Sequence, residues 1–509
     1  MKIIKILCSR LVITGLLFAV QLGWLIYALL TVSHFSWVAG TAFRIISILA
    51  VIGIVQKNEN AGYKLAWVIP ILLFPLFGGL LYLIYGTKRP VRRFRKKLEK
   101  EYCASMDVLK QDSEITEQLK HWDKGYGRQA EYVFRVSGYP VYKGSETVYY
   151  TGTAECYEAI LKELKYARKY IFLEYFIVQE GKMWNRLLET LQAKCGEGVR
   201  VYMIYDDVGC LGRLPFRYYK KLERLGIHCL AFNPYLPIFS LAINHRDHRK
   251  LLCIDGHTVF TGGFNLADEY IGEIERFGYW KDAGIRVRGE AAWSFTAMFL
   301  QMWKAVRPME EDYSYFLPDG LPDKNVVSDG YVQPYSDSPL DNENLSENIF
   351  INMIHGAREY IYLFTPYLVP TDSLLNALKV AAEKGVDVRI GMPGIPDKKF
   401  VFWLSRSYYR DLMEAGAKIY EYTPGFLHSK CFACDDAIGT VGSCNLDYRS
   451  LYLHFECGTV LYDTESLLKL KEDMLKTFQD SRQVKAEECK KNGLMRFVQA
   501  VLRCFAPAF

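Results

Sequence analysis

His248 and His428 each stand two residues ahead of a lysine (Lys250, Lys430) and seven ahead of an aspartate (Asp255, Asp435), and the two sets lie 180 positions apart. Ten residues past each aspartate comes an asparagine: Asn265 in Gly262-Gly263-Phe264-Asn265, and Asn445 in Gly442-Ser443-Cys444-Asn445. One such set is unremarkable in 509 residues; two with identical offsets are not. One neutral imidazole attacks phosphorus to form a phosphohistidine, while a second, protonated one donates to the leaving oxygen. Lysine ammonium groups, asparagine amides and the Ser443 hydroxyl supply donors where charge gathers in the transition state. The chemistry this points to is group exchange at a phosphodiester without a metal ion or other cofactor. Each histidine also needs a partner on its other ring nitrogen. Glu456, 28 residues past His428, and Asp282, 34 past His248, are the candidates. Asp255 and Asp435 complete the two catalytic sets, but they sit in Asp-Gly and Asp-Asp turns and are expected to brace the fold around the site.

The elements that must position these residues repeat as well. Ala167-Arg168-Lys169-Tyr170-Ile171-Phe172-Leu173 matches Ala357-Arg358-Glu359-Tyr360-Ile361-Tyr362-Leu363, each a helix end running into a buried strand. Helical segments follow at 184–196 and 373–384, then strands beginning with Gly198–Val201 and Gly385–Val388. Alternating strands and helices predict an α/β fold with helix-covered sheets. The histidine and lysine of each set are expected on the last strand of their unit, where residues two apart share a face. A pseudo-two-fold axis between the halves would then bring both pairs into one cleft.

Leu11–Val32 and Leu65–Gly86 are 22-residue stretches without charge, long enough to cross a bilayer as helices. Trp37–Val55, apolar apart from Arg44, is a weaker third span, and the first stretch is too long and lacks the cleavage site of a signal peptide. Residues 88–97 carry seven basic side chains and no acid, the pattern of a cytoplasmic membrane flank. The expected organisation is a membrane region at 1–87, a basic linker at 88–134, α/β domains at 135–315 and 326–483, and an amphipathic tail at 484–509. The stretch Leu494–Phe505 fits either a core helix or an interfacial membrane helix. Net charge is only +6, and 13 scattered cysteines suit a reducing compartment with free thiols. Cys431 and Cys434 have no second ligand pair at zinc spacing, so no metal site is expected there.

The paired motif is the signature of the phospholipase D superfamily. Asn244 through Lys250 with Ile254-Asp255-Gly256, and Gly262-Gly263-Phe264-Asn265 running into Asp268-Glu269-Tyr270-Ile271-Gly272, resemble the first motif of bacterial cardiolipin synthases. The second half resembles them more closely still, in Met392-Pro393-Gly394-Ile395-Pro396-Asp397, Tyr422 through Lys430, and Asn445-Leu446-Asp447-Tyr448-Arg449-Ser450. The segment from Lys64 to Gly86 looks like that family's N-terminal membrane module. The resemblance covers about 40–509. It implies two tandem phospholipase D-like domains, mixed sheets flanked by helices, preceded by transmembrane helices. It also implies phosphatidyl transfer between two phosphatidylglycerol molecules to give cardiolipin, with His248 as nucleophile. The spans and the basic flank give the expectation of a multi-pass plasma-membrane protein with cytoplasmic catalytic domains and no nucleic-acid partner. A phospholipase D or another phosphatidyltransferase would use the same site, and a non-catalytic membrane scaffold would be expected to have lost a histidine. His454 stands where the family usually has asparagine, and Asp247 replaces an asparagine beside the first histidine.

Overall fold

The computed structural model describes residues 37–57, 60–73, 92–234, 245–318, 330–341, 343–489 and 493–508, with the single positions 23, 27, 79 and 82. The first half contributes β1 (Ser145–Tyr150), β2 (Tyr170–Tyr175), β3 (Arg200–Asp206), β4 (His228–Phe232), β5 (Arg246–Asp247), β6 (Lys250–Ile254), β7 (Thr258–Gly262), β8 (Tyr279–Lys281) and β9 (Gly284–Gly289). The second contributes β10 (Tyr331–Asp337), β11 (Tyr360–Phe364), β12 (Asp387–Pro393), β13 (Lys418–Tyr422), β14 (Gly425–Leu427), β15 (Cys431–Cys434), β16 (Ile438–Gly442), β17 (His454–Tyr462) and β18 (Ser481–Gln483).

The first sheet runs β1-β9-β7-β6-β2-β3-β4 and the second β10-β17-β16-β15-β11-β12-β13, with β18 added at its edge. The two orders correspond strand for strand. In both, the last three strands of the run are parallel and the others antiparallel. The expected duplicated α/β fold with mixed sheets is therefore present. Parallel neighbours need a crossover, and the expected helices supply it at Lys182–Gly196 and Asp372–Glu383. Gly198 and Gly385 follow these helices with φ of +89° and +92°, a conformation that favours glycine, so each strand starts two residues later than the glycine.

The apolar faces of both sheets meet in one shared core. The helices Ala291–Val306 and Glu465–Gln479 lie in it, with Phe172 stacked on Phe299 at 4.5 Å and Phe364 edge-on to Phe478 at 5.5 Å. The outer face of each sheet has its own core under its crossover helices. Residues 88–134, expected to be a linker, are helical from Arg92 onward: Arg92–Ser105, Ser113–Trp122 and Lys124–Ser137. Leu119, Ala130 and Val133 are buried in the second half's core, and Gln333 donates to the carbonyls of Ala130 and Tyr139. The expected boundary at 135 falls inside a helix because its apolar stripe packs against the far half.

Among the described residues no helix is long and apolar enough to cross a membrane. Leu11–Val32 lies outside them except for positions 23 and 27, and Leu65–Gly86 is described to Leu73 and at 79 and 82. The weaker stretch coincides with the helix Trp37–Val55, whose Ile45, Ile46, Leu49 and Val55 are exposed. The next helix, Ala61–Leu73, docks on the second half: Asn60 donates to the Tyr452 hydroxyl at 3.0 Å, and Tyr63 packs edge-on against Tyr448 and Tyr452. The tail forms the helix Gly493–Cys504. It is not a core helix, since Leu494, Phe497 and Val501 are exposed, while Arg503 pairs with Asp411 at 2.9 Å and lies over the Tyr408 ring.

Candidate functional site

His248 and Lys250 do not share the end of a last strand. The strand that follows each histidine, β6 or β15, is central in its sheet. Before it the chain leaves the sheet to pair with the other half: β5 lies parallel to the start of β17, and β14 lies parallel to β8. The histidines sit in the irregular link between these pieces. The His248 amide donates to the Phe455 carbonyl at 2.9 Å, and the His428 amide to the Lys281 carbonyl at 2.7 Å. Each histidine is thus pinned to the opposite half, one residue before a carboxylate.

That registry sets the ring contacts. His248 Nδ1 lies 2.9 and 3.0 Å from the two carboxylate oxygens of Glu456, and His428 Nδ1 lies 2.5 Å from Asp282 Oδ2. Each carboxylate serves the histidine of the other half, not the one it follows in sequence. An Nδ1–H held by a carboxylate leaves the lone pair of Nε2 for chemistry. Both lysines fold back on their own histidines, Lys250 Nζ donating to the His248 carbonyl and Lys430 Nζ to that of His428. The Ser443 hydroxyl donates to Glu456 and receives the Cys457 amide at 3.0 Å, so it orients the carboxylate.

Asn265 is committed to its own half, its amide oxygen accepting from the Ile177 amide at 3.0 Å and its nitrogen donating to the Tyr270 hydroxyl at 2.7 Å. The matching Asn445 has a buried amide oxygen without a hydrogen-bond partner among the described residues, as has the Ser429 hydroxyl. Asp255 and Asp435 are not with the reacting groups. Asp255 follows the far end of the strand that Lys250 begins, about 16 Å further along at the rise of a strand. Its carboxylate accepts the amides of Arg168, Lys169 and Tyr170 at 2.7–2.8 Å, and Asp435 does the same for Arg358, Glu359 and Tyr360. They tie the strand ends together, the bracing role, and their grouping with the catalytic residues is corrected accordingly. Both adopt positive φ, which aspartate tolerates in tight turns.

Burial and crowded positive charge govern the electrostatics. Burial, then Lys250, Lys430 and His428, hold His248 well below the usual imidazole value. Burial and Lys430 bring His428 down to about 4, against the opposing pull of Asp282. Lys250 is lowered to about 7 and Lys430 to about 8, again mainly by burial. For Asp282 burial favours the neutral acid, but Lys430 and His428 outweigh it and keep the carboxyl below its ordinary value. The cleft is therefore short of negative charge, which is what an anionic phosphodiester brings.

From sequence, His454 is a departure that would tune the choice of acceptor, and the chemistry is expected to need no metal. The fold makes an acid–histidine cluster: His248, His454 and Glu456 each present a donor atom within 4.8 Å of the others. The available signal was the spacing of His454 and Glu456, two apart on a strand and so on one face. Asp247, the other departure, accepts from Arg249 Nε at 3.1 Å within a buried network that includes Glu174.

Residues 160–303 and 350–479 match the family model described as "Cardiolipin synthase, PLD-like domain", and 45–86 match "Phospholipase_D-nuclease N-terminal". An uncharacterized protein of Streptococcus mutans serotype c is 44% identical, with 90% of this chain and 99% of that one covered. A cardiolipin synthase of Alkalihalophilus pseudofirmus is 36% identical over 93% of this chain and 94% of its own, and cardiolipin synthase 2 of Bacillus cereus is 36% identical over 89% and 88%. Among solved structures, the phosphatidylserine synthase of Haemophilus influenzae shares the fold at a TM-score of 0.55 and 16% identity, covering 71% of this chain and 93% of that one.

Proposed function

The chain belongs to the cardiolipin synthase family of phospholipase D-like proteins, and from that premise we propose that it joins two phosphatidylglycerol molecules into cardiolipin and releases glycerol. The observation that carries the mechanism is the crossed pairing of His248 with Glu456 and His428 with Asp282. Nε2 of His248 attacks phosphorus as the bond to the glycerol oxygen breaks, and His428, protonated, donates to that oxygen. Burial and then Lys430 depress His428; the arriving phosphodiester offsets the lysine charge and so favours the protonated ring. A hydroxyl of the second phosphatidylglycerol then gives its proton to His428 and attacks phosphorus, and the P–N bond breaks. Lys250, Lys430 and Asn445 hold the phosphoryl oxygens through the transition state.

The two apolar N-terminal stretches would hold the protein in the plasma membrane. The basic residues from Lys88 to Lys97 would keep the catalytic halves on the cytoplasmic side. Cysteine labelling on intact cells tests this: the exposed thiols of Cys103 and Cys504 flank the catalytic halves, and reaching either from outside would reverse it. For the reaction, purified protein given labelled phosphatidylglycerol, without nucleotide and with a chelator, should yield cardiolipin and glycerol in equal amounts. Phosphatidic acid as the main product would make the protein a phospholipase D instead.

A further inference from the structure

His454 lies beside the reacting histidine with nothing in the proposed transfer for it to do. Its ring centroid is 5.3 Å from that of His248, and the side chain is buried. Its Nδ1 has no hydrogen-bond partner among the described residues and lies 3.7 Å from Glu456 Oε1. A buried ring nitrogen left without a partner costs about 1–3 kcal/mol, so some ligand that satisfies it is favoured there. The same carboxylate oxygen is 2.9 Å from His248 Nδ1. Zinc–nitrogen bonds of about 2.0–2.1 Å in a tetrahedron put neighbouring donors about 3.4 Å apart. The two measured separations bracket that spacing, and the third is within 4.8 Å.

We propose that His248, His454 and Glu456 form a binding site for a zinc-type divalent ion, and that occupancy switches the transfer reaction off. Two imidazoles and one carboxylate suit zinc and other late first-row metals, whereas magnesium and calcium prefer all-oxygen sites. The bound ion replaces the proton shared between His248 and Glu456 and releases it to water. It then draws electron density from the imidazole and takes away its orienting carboxylate, so the ring loses nucleophilicity. His454 is the gate to this control, since Trp280 holds the matching place beside His428, two residues before Asp282, and indole ligates no metal. The inhibitory part rests on His248 being a reacting group; the binding part does not.

The test uses the purified full chain in micelles, freed of metal by chelation. One equivalent of Co²⁺ should give the visible absorption of a tetrahedral nitrogen and oxygen site, and His454→Asn should lose it. In transfer assays, micromolar Zn²⁺ should inhibit, EDTA should restore the rate, and millimolar Mg²⁺ should leave it unchanged. His454→Asn, and independently His454→Gln, should raise the half-inhibiting Zn²⁺ concentration about tenfold or more, each measured against its own metal-free rate. Three results overturn the proposal: unchanged Zn²⁺ sensitivity in both folded variants, stimulation by Zn²⁺, or a cobalt–thiolate band placing the ion at cysteines. If the cobalt band behaves as expected but no cardiolipin forms under any condition, the reaction assignment has failed and the metal site has not.

Discussion

The two halves hold the same histidine–carboxylate pair on different supports. On Glu456 the carboxylate is a methylene longer and is braced by the Ser443 hydroxyl. On the other side Gly263 replaces that serine, and Asp282 fills the space: a Cβ on Gly263 would come within 2.2 Å of Asp282 Oδ1. Beside His248 stands His454, and beside His428 stands Trp280 at 5.4 Å. Both halves keep a histidine–carboxylate pair while the residues behind it differ. The two roles proposed for the histidines, attack and protonation, need only common geometry at Nε2. They gain from different surroundings, and those surroundings are where the halves part.

The sharpest way to break the symmetry is to remove one ring at a time. His248→Ala should abolish transfer, and His428→Ala should lower it by about 10²–10⁴-fold, the usual contribution of a general acid. Mass spectrometry after quenching should find the phosphatidyl adduct on His248; finding it on His428 would exchange the two roles. Next in size are the supports. Gly263→Ser should cripple the enzyme by displacing Asp282, while Ser443→Gly should cost only about tenfold in kcat, because Glu456 keeps its bond to His248. Equal losses in the two variants would show that the supports are interchangeable after all.

The lysines set stability against activity. Lys250 and Lys430 are buried and held to about 7 and 8, so the folded state disfavours their charge. Lys430→Met should therefore abolish transfer yet raise Tm by a few degrees. A fall in Tm would mean that the ammonium group is a net structural asset. Acid should act in the other direction. His248 is held well below 6.5, His428 at about 4 and His454 at about 3, so all three stay neutral in the folded protein while the unfolded chain protonates near 6.5. Stability should be lost progressively as pH falls from 6.5 toward 4, and urea unfolding at pH 5 should show proton uptake that His454→Asn reduces. The smallest effects belong to the braces. Asp255→Asn and Asp435→Asn should each lower stability by about 1–3 kcal/mol in denaturant melts and leave KM for phosphatidylglycerol unchanged.

Much of this molecule is written in local pattern. The repeat of His-x-Lys with its downstream asparagines, the two matched helix-to-strand segments and the crossover helices are legible because each depends on residues a few positions apart, whose spacing sets which face they share. The duplicated fold and the choice of proposed reacting groups follow from them. What local pattern did not carry is whatever one half contributes to the other. His248 meets Glu456 across 208 residues of chain, and its amide donates to the Phe455 carbonyl from the far half as well. Residues 88–134 read as a basic linker because the apolar stripe of the helices in it packs on a distant core. His454 read as an isolated departure because its neighbour His248 arrives only when β5 lies along β17. Backbone pairing between the halves, not the order of residues along either one, decides which carboxylate serves which histidine and what stands beside it.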